Sequence, residues 1–164
     1  MKAELKKIQL NDLEMLLRWR NDVSVRKWMY SSQEISLDQH IKWYNDLSIS
    51  QQQLGFIFYY NNEPMGFVSF HLDKHFCEWG FYIKPNARKG MGMILGQTAI
   101  QYAFDILGVQ KIFGQVLAFN ERSVSFHQKL GFQQEGLLRK HFKDSRGEFD
   151  IFQFGLLKSE WLER

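Results

Sequence analysis

The stretch ARKGMGMILG, Ala87–Gly96, follows an apolar run, Phe81-Tyr82-Ile83, and leads into an apolar helical pattern. Three of the chain's twelve glycines fall within seven positions at this junction, Gly90, Gly92 and Gly96. Either the glycines make a plain connection, or the backbone must come close to a ligand there. A helix start offers amide groups with no internal partner, and glycine lets an anion such as a phosphate approach them.

Two phosphate motifs fail on spacing. A Walker loop needs Gly-Lys-Ser/Thr after four intervening residues, but Gly96 is followed by Gln97. A dinucleotide fingerprint needs glycine at the third position after Gly92, where Leu95 stands. Lys89-Gly90-Met91-Gly92 ahead of a helix remains, and taken alone it leaves both readings open.

Outward from this point the chain reads as one domain, residues 1–164. Before the glycines come three apolar and aromatic runs, Leu54–Tyr60, Met65–Leu72 and Phe76–Ile83. Short turn-like separators between them predict an antiparallel meander. After the glycines, Ile94, Leu95, Thr98, Ala99, Tyr102, Ala103, Ile106 and Leu107 line one helical face that ends at Gly108. Gln110–Leu117 is a strand, Asn120 caps a helix from Glu121 to Leu130, and Phe132–Leu137 and Glu148–Leu157 complete the sheet. At the N-terminus a strand, Ala3–Gln9, precedes helices at Asp12–Asn21 and Ser36–Leu47, the latter opened by a Ser36/Gln39 capping box. The order β-α-α-β-β-β-α-β-α-β-β predicts an α+β fold: a mostly antiparallel central sheet flanked by helices.

Composition excludes several classes. With 45% hydrophobic and 16% aromatic residues the chain is globular. A net charge of +3 with mixed signs gives no basic stripe for nucleic acid. Cys77 is the only cysteine, so no internal disulfide forms, and it reads as packing. His71 and His75 fall in a hairpin with no third ligand, and no metal is expected. No apolar run reaches membrane-spanning length and no signal-like segment opens the chain, so membrane partners are not expected and a cytoplasmic protein is. A Gly-x-Ser-x-Gly elbow is absent.

The succession Phe81-Tyr82-Ile83-Lys84-Pro85, Arg88-Lys89-Gly90-Met91-Gly92 and Asn120 through Leu130-Gly131-Phe132 resembles the GNAT superfamily of acetyl-coenzyme-A-dependent N-acetyltransferases. The resemblance implies acetyl-CoA as acetyl donor and a sheet that splays at the cofactor strand. It would set the pyrophosphate on the amides of Lys89, Gly90, Met91, Gly92 and Met93, with Arg88 alongside. The pantetheine arm would pair with Phe81, Tyr82 and Ile83, and Asn120 would hydrogen-bond it. One departure is Ala87, where the family usually has Arg or Gln; Arg88 stands in for it.

The N-terminal half, RWRNDVSVRKWMYSSQEISLDQHIKWYNDL, is similar to the nucleotide-sugar N-acetyltransferases of the pseudaminic acid pathway, which serve flagellin glycosylation. Those act on the 4-amino group of UDP-4-amino-4,6-dideoxy-N-acetyl-β-L-altrosamine. Carried over, Arg20, Met29, Tyr30 and His40 would face the UDP-amino sugar, with Glu78 and Gln115 lining the same cleft. Each also has an architectural reading: Arg20 as an ion-pair partner, Met29 as core, His40 as a partly buried helix residue. The end of the sheet, Glu135–Arg139 and Glu148–Asp150, is also similar to ribosomal-protein N-terminal acetyltransferases and to polyamine acetyltransferases; a polyamine would favour a carboxylate cluster, of which the N-terminal half shows no strong one, so a peptide acceptor is the alternative. A module that binds without turnover is a third reading, and a homodimer is compatible with all three.

For mechanism, the resemblance implies direct attack of the amine in a ternary complex. The family generally places a proton-donating tyrosine seven residues after the capping asparagine; His127 stands there and is expected to protonate the departing thiolate. Ser69, on the strand facing the acceptor, is expected to orient the amine or relay its proton.

Overall fold

The computed structural model describes residues 1–164. In chain order the elements are β1 (Ala3–Lys7), α1 (Leu13–Asn21), α2 (Val23–Arg26), α3 (Leu37–Ile49), β2 (Gln53–Tyr60), β3 (Glu63–Asp73), β4 (Phe76–Ile83), α4 (Met91–Asp105), β5 (Lys111–Leu117), α5 (Glu121–Lys129), β6 (Gln133–Asp144), β7 (Gly147–Leu157) and α6 (Lys158–Leu162). Seven strands form one sheet in the order β1-β2-β3-β4-β5-β7-β6. Every neighbouring pair is antiparallel except β4 and β5, which α4 connects as a crossover. The α+β sheet expected from the sequence is thereby present.

Strand alternation sorts side chains onto two faces. One face carries Phe56, Phe58, Val68, Phe70, Cys77, Trp79, Ile112 and Phe154 against Leu95, Ala99, Ile100, Ala103 and Phe104 of α4, and forms the main core. The opposite face carries Ile57 and Phe67, which pack with Leu16 and Trp19 of α1 and with Trp43 and Tyr82. Here α1–α3 cover only part of the sheet. The uncovered part, towards β5 and β7, is where the site lies.

Local signals explain the joints. Asn61 and Asn62 take φ values of 50° and 67°, which suit the tight β2–β3 turn. The capping box holds as expected: Gln39 N–H donates to Ser36 Oγ at 3.2 Å, and Ser36 N–H donates to Gln39 Oε1 at 2.9 Å. Two differences from expectation stand out. Strand β6 runs on to Asp144 through a bulge between Leu138 and Phe142, beyond the expected end at Leu137. The basic run Arg139-Lys140-His141 hides that continuation, and Lys140 adopts a φ of 48° while its N–H donates to Asp150 Oδ1 at 2.7 Å. The short helices α2 and α6 are too brief to show a period.

The β4–β5 ladder covers only Phe76–Glu78 against Lys111–Phe113, after which the strands part. From Trp79 to Ile83, β4 pairs with β3 alone. The tight β3–β4 side of this opening depends on Gly66. A Cβ there would stand 2.6 Å from the Tyr82 carbonyl oxygen and 2.8 Å from Leu95 Cδ1. Gly66→Ala is therefore expected to destabilise the protein by about 1–3 kcal/mol, because backbone cannot yield as a side chain can. Urea denaturation checks it; unchanged stability would contradict the tight fit.

Candidate active site at the parting of two strands

The opening between β4 and β5 has a helix start beside it. Gly90, the residue before α4, has a φ of 93°, a left-handed value that glycine adopts freely. The N–H groups of Met91 and Ile94 donate to Arg88 and Gly90 carbonyls. Those of Lys89, Gly90, Gly92 and Met93 donate to nothing in the protein. A Cβ at Gly90 would meet nothing within 4 Å, and one at Gly92 would meet only Phe126 and Ile83 at 3.9 and 4.0 Å. Four free amides facing open space suit a pyrophosphate, and the unpaired edge of β4 through Phe81, Tyr82 and Ile83 suits an extended amide-bearing arm. Arg88 stacks its guanidinium over Tyr60 at 5.4 Å. Asn120 caps α5, its Oδ1 accepting from Ser123 N–H at 3.2 Å, which leaves its amide N–H groups free.

Behind the opening lies an aromatic plug. Trp79 stacks on Phe132 with ring centres 5.2 Å apart, and Phe81 lies 4.9 Å from Phe126. His127 sits inside this cluster, 2% exposed. Its Nδ1–H donates to the Ser123 carbonyl at 2.8 Å, and its Nε2 accepts from Trp79 Nε1–H at 3.2 Å. Both bonds define a neutral ring in the Nδ1–H tautomer. Burial pushes its pKa down to about 4, with the Ser123 carbonyl opposing weakly. The expectation that His127 protonates a thiolate meets a physical obstacle. The ring carries one proton, already committed to a carbonyl, and it lies on the core face of the sheet. In this geometry His127 is an architectural acceptor for Trp79.

The acceptor face is assembled from β3, β4, β5 and the loop after α2. Ser69, Gly80, Glu78 and Tyr82 share this face, with Ser69 opposite Gly80 and Phe67 opposite Tyr82. Ser69 Oγ rests over Gly80, where a Cβ would come within 2.9 Å of it. Tyr30 O–H donates to Gln115 Oε1 at 3.3 Å, and its ring meets Phe142 edge-on at 5.1 Å. Burial first, and then the Glu78 carboxylate, raise the Tyr30 pKa, so Glu78 lies in the same cluster. Arg20 reaches from the end of α1 and donates from Nη2 to the Ser31 carbonyl at 3.1 Å. Its Nη1 is buried and bonds to nothing in the protein. Burial lowers its pKa, while neighbouring Tyr82 acts the other way; Tyr82's own phenol is pushed well up by burial.

Arg20, Tyr30, Glu78 and Gln115 are thus brought to one face, with Ser69 on the same sheet surface. Met29 is half-buried on the same loop. His40 is not part of the wall: it is 4% exposed, stacks on Trp43 at 5.3 Å, and donates from Nε2 to the Leu13 carbonyl at 2.9 Å. It ties α3 to α1, which is the architectural reading of that residue. Burial also lowers its pKa. Cys77 is fully buried with its thiol raised to about 12, so no thiolate is available.

Residues that the sequence did not single out hold the wall in place. In the loop Lys27–Ser36 the first three amides donate to carbonyls of α2, residues 30–35 have no backbone pairing, and guanidinium groups take up several of its carbonyls. Arg26 donates to Asn21 and Ser32 carbonyls at 3.0 and 2.9 Å, and Arg146 to those of Lys27 and Met29 at 2.8 and 3.1 Å. Asn21 bonds Ile35 in both directions, at 2.7 and 2.8 Å. Two further concavities, about 820 Å³ between β1, α4 and α6 and about 680 Å³ at the β6 bulge, contain none of the residues at the strand opening. No three of His, Cys, Asp and Glu come together to hold a metal ion, and no helix is long and apolar enough to cross a membrane.

The buried His127 has a consequence for stability. Its folded pKa lies below the unfolded value of 6.5, so the unfolded chain binds a proton first as pH falls. Between pH 7 and pH 5 this one group should remove about 2 kcal/mol of stability. His127→Phe should flatten that slope in urea titrations at the two pH values. An equal slope in the variant would show that the ring is not buried neutral.

Comparison with known proteins bears on the same geometry. Residues 2–133 match the Acetyltransferase (GNAT) domain family. The chain is similar to Acetyltransferase PseH of Campylobacter jejuni, 27% identical over 122 residues covering 74% of this chain and 76% of that one. It is 30% identical to the uncharacterized N-acetyltransferase p20 of Bacillus licheniformis, over 96% of this chain and 93% of the relative. The structure superposes with a TM-score of 0.89 on the spermidine N-acetyltransferase of Vibrio cholerae in complex with CoA and spermine, at 22% identity and 98% coverage of both chains. GNAT enzymes use acetyl-CoA, and the free amides and unpaired strand edge fit that donor. A strand opening beside a glycine-initiated helix, on a chain matching the family over most of its length, makes this protein a member of the GNAT acetyltransferase family.

Proposed function

We propose that the protein acetylates the 4-amino group of a UDP-linked amino-dideoxy sugar, of the kind represented by UDP-4-amino-4,6-dideoxy-N-acetyl-β-L-altrosamine in pseudaminic acid biosynthesis. The observation that carries this reading is Arg20. Arg20 is half-buried, but its Nη1 is buried without a partner; an anionic or strongly accepting group would satisfy it, and a diphosphate supplies one in a geometry that its planar fork matches. A polyamine would meet like charge at the same point. The likeness of the N-terminal half to nucleotide-sugar acetyltransferases supports the same reading, as does the similarity to Acetyltransferase PseH.

In this scheme acetyl-CoA supplies the activated acyl group, and the residues position and neutralise. The amides of Lys89, Gly90, Gly92 and Met93 hold the donor's pyrophosphate, and Phe81–Ile83 align its arm. Arg20 fixes the acceptor by its phosphates, while Tyr30 and Gln115 meet its sugar. Glu78, exposed on this face, holds the ammonium and takes a proton from it, and Ser69 orients the resulting amine. The amine nitrogen bonds to the acyl carbon as the carbon–sulfur bond breaks. Glu78, having passed its first proton to water, takes the amide's surplus proton and releases it by the same route. Water protonates the thiolate, whose conjugate acid has the ordinary thiol pKa near 8.5, since His127 has no proton to give. Such a reaction gains most of its rate from juxtaposition of two bound substrates. The cytoplasm is the expected compartment, where both substrates are made.

Thiol release from acetyl-CoA, measured with the UDP-amino sugar, with spermidine and with peptides bearing a free N-terminus, tests the assignment. Strong release with the sugar alone is expected; release with spermidine or peptide alone would overturn the acceptor while leaving the family intact. Arg20→Met should lower kcat/KM for the sugar about 10- to 100-fold, the worth of a charge-assisted bond, with little change in KM for acetyl-CoA. Gly92→Trp should do the reverse, raising the Kd for acetyl-CoA at least about tenfold by covering the free amides while the melting temperature holds. Unchanged affinity would misplace the pyrophosphate.

A further inference from the structure

The turn between β6 and β7, Asp144-Ser145-Arg146-Gly147, is remote in sequence from the acceptor loop, yet it grips that loop. Arg146 Nη1 donates to the Lys27 carbonyl at 2.8 Å and Nη2 to the Met29 carbonyl at 3.1 Å, across sequence separations of 119 and 117 residues. Asp144 aims the guanidinium: its Oδ2 accepts from Nε at 2.9 Å and lies 2.7 Å from Nη2. Its Oδ1 also accepts from Arg146 N–H at 2.8 Å, which closes the turn. The plane of Arg146 lies over Phe119 at 5.2 Å and over Phe142 at 6.0 Å. Phe142 in turn is the ring against which Tyr30 rests.

We infer that Arg146, oriented by Asp144, is a positioning residue for acceptor binding: a latch that fixes the Lys27–Tyr30 segment and through it the Tyr30–Gln115 contact. This rests on the acceptor reading above. The physical basis is the loop itself. The amides of Lys27, Trp28 and Met29 donate to carbonyls of α2, but no backbone hydrogen bond holds residues 30–35, and Trp28 and Tyr30 are exposed, so without outside donors the loop's conformational freedom would be large. Two charge-assisted bonds, to the Lys27 and Met29 carbonyls, restrict that freedom before the acceptor arrives, so binding need not order the segment. The donor side is untouched in this scheme, since none of the hydrogen bonds, the ion pair or the ring contacts of Arg146 reaches α4 or β4.

The test uses Arg146→Met, with Arg146→Lys as a milder variant that keeps the charge but loses the two-pronged geometry. Amide hydrogen exchange of residues 27–36 in the full chain should quicken at least about tenfold in the Met variant, with α4 and β4 unchanged. With the UDP-amino sugar, KM for the sugar should rise about tenfold, while KM for acetyl-CoA and kcat stay within about twofold; Lys should recover part of the loss. Unchanged exchange in the loop, or exchange that quickens throughout the protein, would overturn the latch. So would equal loss of both KM values. If the sugar is not acetylated by the wild type, the acceptor reading fails and the exchange result alone decides the latch.

Discussion

The parting of β4 and β5 is the constraint on which the rest of the site depends. Two parallel strands would ordinarily continue their ladder, since unpaired backbone groups in a sheet are costly. Here they separate after three residue pairs, and the aromatic plug holds the gap from behind. Trp79 reaches across the gap: its indole edge lies where a side chain on Gly114 of β5 would be, 2.8 Å from the position of a Cβ. Its N–H is satisfied by His127, whose own proton goes to the Ser123 carbonyl in the first turn of α5. The Trp79–His127 bond therefore links β4 to α5 across the opening, and the His127–Ser123 bond anchors the ring within α5, so the polar atoms of both rings have partners. Loss of the acceptor nitrogen would leave the indole N–H buried and unpaired.

From that opening the division of labour follows. One lip offers free amides at the start of α4 and a strand edge, both suited to the long, amide-rich donor. The other face offers side chains instead, Arg20, Tyr30, Glu78, Gln115 and Ser69, suited to an acceptor carrying phosphates and an amine. Backbone recognition of the donor tolerates substitution, which is why Ala87 in place of the usual Arg or Gln does not disturb the architecture. In the proposed reading, acceptor choice rests on side chains and on how firmly the loop after α2 is held. Three arginines and one asparagine hold that loop, through contacts far apart along the chain.

Much of this was legible in the sequence. The alternation of Phe56–Tyr60 and Phe67–Phe70 and the capping pairs at Ser36 and Asn120 each have one local meaning, and the fold follows them; the glycines at 90 and 92 marked a strand-to-helix junction but left its purpose open. Of the candidate site, Arg20, Tyr30, Glu78 and Gln115 lie on one face, whereas His40, carried over by the same resemblance as Arg20 and Tyr30, lies elsewhere. His127 and His40 were not readable, since a histidine on a helix has the same spacing whether it faces a cleft or a core. What decided them was the burial of α5 against Trp79 and of α3 against Leu13. Arg146 had no local signal: Asp-Ser-Arg-Gly reads as an ordinary hairpin turn, and its partners lie more than a hundred residues away. The length of β6 was hidden for a related reason, because a bulge held by Asp150 breaks the alternation that marks a strand.

The most direct test of the account is a crystal structure of the protein with CoA and the UDP-amino sugar bound together. The account predicts the CoA pyrophosphate within hydrogen-bonding distance of the Gly92 and Met93 amides. It also predicts a phosphate of the sugar nucleotide on Arg20 Nη1 and the 4-amino group between Glu78 and the open edge of β4. A sugar nucleotide bound with its diphosphate away from Arg20, or a donor lying outside the β4–β5 opening, would contradict it.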